Sequence, residues 1–183
     1  YEWSGMTREE VISGNQTTII FIICLIFVYL ILAAQYESFM LPLSVILSLP
    51  VGIFGSYLSL KLMGLQNNIY AQVALIMLIG LLGKNAILIV EYVLLKRKEG
   101  RDMLEATIEG SVARFRPILM TSFEFIAGLI PLVIASGAGE LGNRSIGTTA
   151  AGGMFVGTIL GLVMIPGLYI VFASIENRFR KKQ

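Results

Sequence analysis

The chain has 183 residues, of which 56% are hydrophobic and 14% charged, with a formal charge of +2. A soluble domain carries about 25% charged residues, so this composition excludes an ordinary soluble globule and points to a membrane. There is no histidine, and the single cysteine, Cys24, sits in an apolar run. The commonest general base and any disulfide within the chain are thereby removed, and the scattered carboxylates lack metal-ligand spacing. We expect no enzyme, no cofactor and no metal site.

The start, YEWSGMTREE, has neither an initiating Met nor the pattern of a signal peptide. Residues 1–15 are therefore expected to end an extramembrane segment of a longer protein. A charge-free run over 16–36 is long enough to cross a bilayer at 1.5 Å per helical residue. A second span is expected over 39–60, with Pro42 in its first turn and Pro50 kinking its interior. Gly52 and Gly55 would let a neighbouring helix approach. Gly64, Asn67 and Asn68 suit a tight turn into a third span over 69–94.

Residues 95–116 show amphipathic helical spacing and are expected to lie at the cytoplasmic interface. A thin fourth span follows from Pro117 to Ile134, with Gly128 and Pro131 bending its outer end. The fifth, over 146–173, carries Gly147, Ala150, Ala151, Gly153, Gly157 and Gly161 at spacings of three and four, a shallow face for close packing. Pro166 and Gly167 would loosen its end before a basic tail at 174–183. The fold expected is all-α, a polytopic membrane bundle of five transmembrane helices in two blocks, 16–94 and 117–173.

Ten basic residues, Lys96, Arg97, Lys98, Arg101, Arg114, Arg116, Arg178, Arg180, Lys181 and Lys182, fall in one loop and the tail, against Arg8, Lys61 and Arg144 on the other side. Positive charge favours the cytoplasmic side, so the N-terminus is expected outside and the C-terminus in the cytoplasm. A nucleic-acid partner is a weaker explanation of this bias.

Lys84 and Glu124 stand inside otherwise apolar spans. Hydrocarbon tolerates a charge only where protein or water surrounds it, so each is a candidate for ion coupling. Lys84 lies fifteen positions after Ile69, too deep to snorkel easily, and something inside the bundle should hold it. Asn85 points roughly 100° away and is not the obvious partner, while Glu91, seven positions on, is about 10 Å away along the axis. In the fourth span Arg114 and Thr121 share a face, with Glu124 one turn beyond. Two readings remain open: a hydrated proton or ion route, or a Lys84–Glu124 pair that glues two spans while Thr121 bonds its own backbone four residues back.

Several long motifs occur in order: GMTREEVISGNQ at 5–16, LAAQYESFMLPLSVILSLPVGIFG at 32–55, GLLGKNAILIVEY at 80–92, RFRPILMTS at 114–122, then PLVIASGAG and IGTTAAGGM. Together they resemble the last five transmembrane helices of a resistance-nodulation-division efflux pump of the hydrophobe and amphiphile exporter type. The resemblance implies proton-driven multidrug export from the bacterial inner membrane by a homotrimer. Its partners would be the missing N-terminal half, a periplasmic adaptor, an outer-membrane channel and lipids, with H+ as coupling ion. It further implies that Lys84 faces aspartates of the first half, and that Arg114 and Thr121 belong to the same relay. Glu124 departs from the pattern, which has a small apolar residue there. Heavy-metal and protein-export branches fit GKNAILIVE less well, and a membrane scaffold without transport of its own is the alternative of a different class.

Overall fold

The computed structural model describes the backbone of residues 6–180 and the side chains of residues 19, 20 and 22–176. The described residues form six helices and no strand: α1 Met6–Tyr36, α2 Leu41–Ile46, α3 Leu49–Leu62, α4 Ile69–Lys98, α5 Met103–Val133 and α6 Glu140–Arg180. The all-α expectation holds. Four stretches are long and apolar enough to cross a membrane, Leu41–Leu62, Ile69–Lys98, Met103–Val133 and Glu140–Glu176, and a shorter apolar stretch, Ile22–Tyr36, ends α1. Phe27, Val112 and Val163 are 64%, 70% and 76% exposed, the surface expected where lipid or further helices replace water.

The second span is interrupted at Leu47 and Ser48, where the backbone stays right-handed helical, as at a proline kink. Pro50 has no N–H to offer the carbonyl four residues back, and that residue, Ile46, is where α2 stops. Ser48 donates to Val45 O at 2.6 Å at the interruption, and Pro50 sits in the first turn of α3. The turn after α3 forms as its residues suggest: Gly64 takes φ +66°, and Asn68 caps α4 by accepting from Ala71 N at 2.9 Å.

No break separates the interfacial segment expected at 95–116 from the span after it. Residue 103 onward is one helix through Pro117 and Pro131 to Val133, so the apparent thinness of this span disappears. Ala106, Gly110, Ile118 and Ser122, spaced in multiples of four, are buried on both sides of Pro117, while Pro117 itself is exposed. One packed stripe thus crosses the proline and carries the helix over its missing hydrogen bond. At Gly110 α5 comes close to α4: a Cβ there would lie 3.1 Å from the Val93 backbone.

The long α6 packs along α3, α4 and α5. Its small face is used as the spacing suggests. At Gly153 an added Cβ would collide with Ser56 and Leu78 and come within 3.0 Å of Gly52 O; at Gly157 it would lie 3.2 Å from Gly52 Cα. Such closeness lets serine hydroxyls bond across the helices: Ser56 donates to Thr149 O at 2.8 Å, and Ser59 to Thr148 O at 3.1 Å. Two buried apolar clusters flank this frame, one around Val45, Ile89, Ile118 and Tyr169, the other around Leu49, Leu78, Leu82 and Met154.

Candidate functional site: a charged cleft between α4 and α5

Helix periodicity assembles the site. On α4, Leu81, Lys84, Asn85 and Leu88 follow the i, i+3, i+4, i+7 pattern of one face; on α5, Arg114, Pro117, Ile118, Thr121, Glu124 and Phe125 do the same. The two faces line a cavity of about 410 Å3, completed by Met154 of α6. All four candidate residues, Lys84, Arg114, Thr121 and Glu124, therefore open onto one cleft.

The cleft holds two cations and one carboxylate. Lys84 is exposed to it, and neither Lys84 nor Glu124 has a hydrogen bond or ion pair among the described residues. The bundle thus does not hold Lys84 in the way its depth suggested, and the direct Lys84–Glu124 pair is not made. Lys84 also lines a second, apolar cavity of about 400 Å3 on the other side of α4, where Cys24, Val45, Gly80 and Gly83 meet. Its flexible stem stands on the ridge between the two, so its ammonium can be redirected without moving the helix.

Arg114 is held more firmly. Its guanidinium lies 4.9 Å from the ring centroid of Tyr92 on α4, within cation–π range. Its Nε, like Asn85 Nδ2, is a buried donor with no acceptor among the described residues. A buried unsatisfied donor costs about 1–3 kcal/mol, so both groups call for water or a further acceptor. Thr121 donates to Ile118 O at 3.1 Å, three residues back rather than four, while remaining exposed to the cleft. Ser122 turns away and is buried, its Oγ accepting from Thr158 of α6 at 2.9 Å.

Asn85 and Tyr92 are the residues that sequence reasoning missed. The angle between Asn85 and Lys84 argues against a pair, yet a cleft face is wide enough to include positions i and i+4, and Leu81–Asn85 is such a pair. Tyr92 lies seven positions beyond Asn85, on the same stripe; that spacing was the available signal.

The profile of the AcrB/AcrD/AcrF family matches residues 1–173. The chain is 45% identical over 182 residues to multidrug resistance protein MdtF of Escherichia coli, covering 99% of this chain and 18% of that protein. It is 43% identical over 183 residues to the toluene efflux pump membrane transporter TtgB of Pseudomonas putida, covering 100% of this chain and 17% of the relative. With multidrug export protein AcrF of E. coli the identity is 44% over 172 residues, 93% of this chain and 17% of the relative. The chain thus spans less than a fifth of the length of these relatives, and it belongs to the AcrB/AcrD/AcrF family, the resistance-nodulation-division transporters that its motifs resemble.

Proposed function

We propose that this chain forms the second-half helical bundle of a proton-driven exporter of drugs or other amphiphiles, and that Lys84 is the movable counter-charge to a proton-carrying carboxylate. The observation that carries the reading is the convergence of Lys84, Arg114, Thr121 and Glu124 on one cleft between two spans. Two cations facing one carboxylate leave a positive excess in a low-dielectric wall, which favours a further carboxylate from a neighbouring helix. When that carboxylate is ionised, attraction to Lys84 favours one packing of the helices; protonation removes the attraction and populates another. Arg114 and Thr121 keep the route polar between the basic edge and the cleft.

The names of the relatives, multidrug and toluene efflux among them, support amphiphiles as the substrate class. The same reading sets the protein in a bacterial inner membrane, N-terminus outside and C-terminus in the cytoplasm, as part of a homotrimer that docks on an adaptor and an outer-membrane channel. In the complete transporter, Lys84→Ala abolishes proton-driven dye efflux in vesicles while assembly persists. Lys84→Arg does not fully restore it, because a planar guanidinium cannot replace a point charge on a flexible stem. Thr121→Ala has a milder effect. Normal efflux by Lys84→Ala at matched protein levels overturns the reading.

A further inference from the structure

Glu124 is the group in the cleft whose chemistry the counter-charge role leaves unused. It projects from the same face of α5 as Arg114 and Thr121, ten and three positions away, onto a cavity whose opposite wall carries Lys84. Its side chain is exposed to that cavity and has no hydrogen bond or ion pair among the described residues. A carboxylate bound to a cation at contact distance would be a structural strut. One that shares a cleft with two cations and contacts neither is not fixed by an ion pair.

We propose that Glu124 is a proton-binding site of this chain itself, ionised when the Lys84 ammonium swings towards it and protonated when Lys84 turns away. The proposal rests on the proton-coupled reading above and adds a second carrier to it. The step is proton transfer alone: a carboxylate oxygen of Glu124 takes a proton from a hydronium in the cleft, forming an O–H bond and releasing water, and the reverse step returns it. The cavity, about 410 Å3, far exceeds the roughly 30 Å3 that one water occupies, so a hydrated path to Glu124 is physically available.

The charged groups facing it are few. Lys84 comes from α4 and Arg114 from α5, the latter partly engaged by the Tyr92 ring. From α6 the lining residue is the uncharged Met154, and among the described residues α1, α2 and α3 contribute none. The ionised form of Glu124 is therefore governed by Lys84 and Arg114, and the strength of that control depends on which of the two cavities beside α4 the Lys84 ammonium occupies.

Dicyclohexylcarbodiimide, an apolar reagent that adds protonated carboxyls across its C=N bond to give an O-acylisourea, gives a direct test on the complete transporter in liposomes. Mass spectrometry of the peptide containing Glu124, with Glu124→Gln as blank, reads the modified fraction. We expect modification that rises several-fold as pH falls from alkaline to mildly acidic. Removal of a cation disfavours the ionised form, so Lys84→Met increases the modified fraction at a fixed pH, and Arg114→Gln does so independently should Lys84→Met assemble poorly. No modification at any pH, or a fraction unmoved by both substitutions, overturns the proposal. That outcome leaves the counter-charge reading standing if Lys84→Ala still abolishes efflux, whereas normal efflux by Lys84→Ala removes the coupling reading whatever Glu124 does.

Discussion

The seam between α3 and α6 and the cavity-lined helices α4 and α5 use the same ingredients, glycines and hydroxyls inside apolar helices, to opposite ends. In the seam the glycines are filled against: Gly52 meets Leu82, Gly55 meets Val156, and Gly152 and Gly153 meet Ser59 and Ser56. Its hydroxyls bond across the helices. On α4 and α5, by contrast, an added Cβ at Gly80 or Gly83, which line the second cavity beside Lys84, or at Gly128 would meet nothing within 4 Å, and in the cleft the polar groups of Lys84, Glu124 and Asn85 lack partners among the described residues. Without water to drive helices together, close packing and cross-helix hydrogen bonds supply the association energy. The seam therefore fixes the frame, and the cleft is left free for charges to change partners.

The comparison breaks most decisively at Gly153. A Gly153→Val side chain must displace Ser56, Leu78 and the Gly52 carbonyl together, and overpacking against backbone costs about 3 kcal/mol, the upper end of the usual range. We expect loss of monodisperse protein in detergent, or a large fall in melting temperature. Gly83→Ala, facing open space, changes the melting temperature of the full chain little, within about 1 kcal/mol of stability. Equal sensitivity of the two positions would erase the distinction between seam and cleft. A Gly83→Ala defect seen only in the complete transporter would instead report a helix packed beside Lys84.

A smaller effect is expected at Tyr92, where the cleft borrows one element of rigidity. Tyr92→Leu removes the ring that faces the Arg114 guanidinium at 4.9 Å, an interaction of about 0.5–2 kcal/mol. It should slow proton-driven efflux without abolishing it, and Tyr92→Phe, which keeps the ring, should retain most of the rate. Equal loss in both variants would show that the phenol hydroxyl, rather than the ring face, matters.

Much of this division is legible in the chain. The spacing of small residues on the fifth span announces a packing face, and Arg114, Thr121 and Glu124 fall on one line because helical periodicity alone fixes their bearing. What stays hidden depends on contacts between helices. Pro117 resembles a helix start because a proline lacks a donor; only the buried stripe Ala106, Gly110, Ile118 and Ser122 against neighbouring helices shows why α5 continues through it. Pro50 suggests a kink, and whether a span bends or breaks depends on local satisfaction such as the Ser48 bond to Val45 O. Depth along one helix suggests that the bundle encloses Lys84, but depth along an axis says nothing about which side of the helix faces a cavity, and Lys84 is exposed.

The smallest expected effect sharpens the account of the seam. Ser59 donates to Ser56 O at 2.9 Å and to Thr148 O at 3.1 Å, sharing one proton between its own helix and α6. Ser59→Ala removes that proton but leaves both carbonyls on helices, where backbone donors can still serve them. The cost should be a single net hydrogen bond, about 0.5–1.5 kcal/mol. Because a Cβ at Gly152 would collide with both the Oγ and the Cβ of Ser59, loss of the hydroxyl relieves part of the clash while the Ser59 Cβ remains, and Gly152→Ala should be somewhat better tolerated with Ser59→Ala than alone. A double-mutant cycle on melting temperature reads this coupling. Simple additivity would mean that the seam relaxes as readily as the cleft and that its closeness is not set by the contact between these two residues.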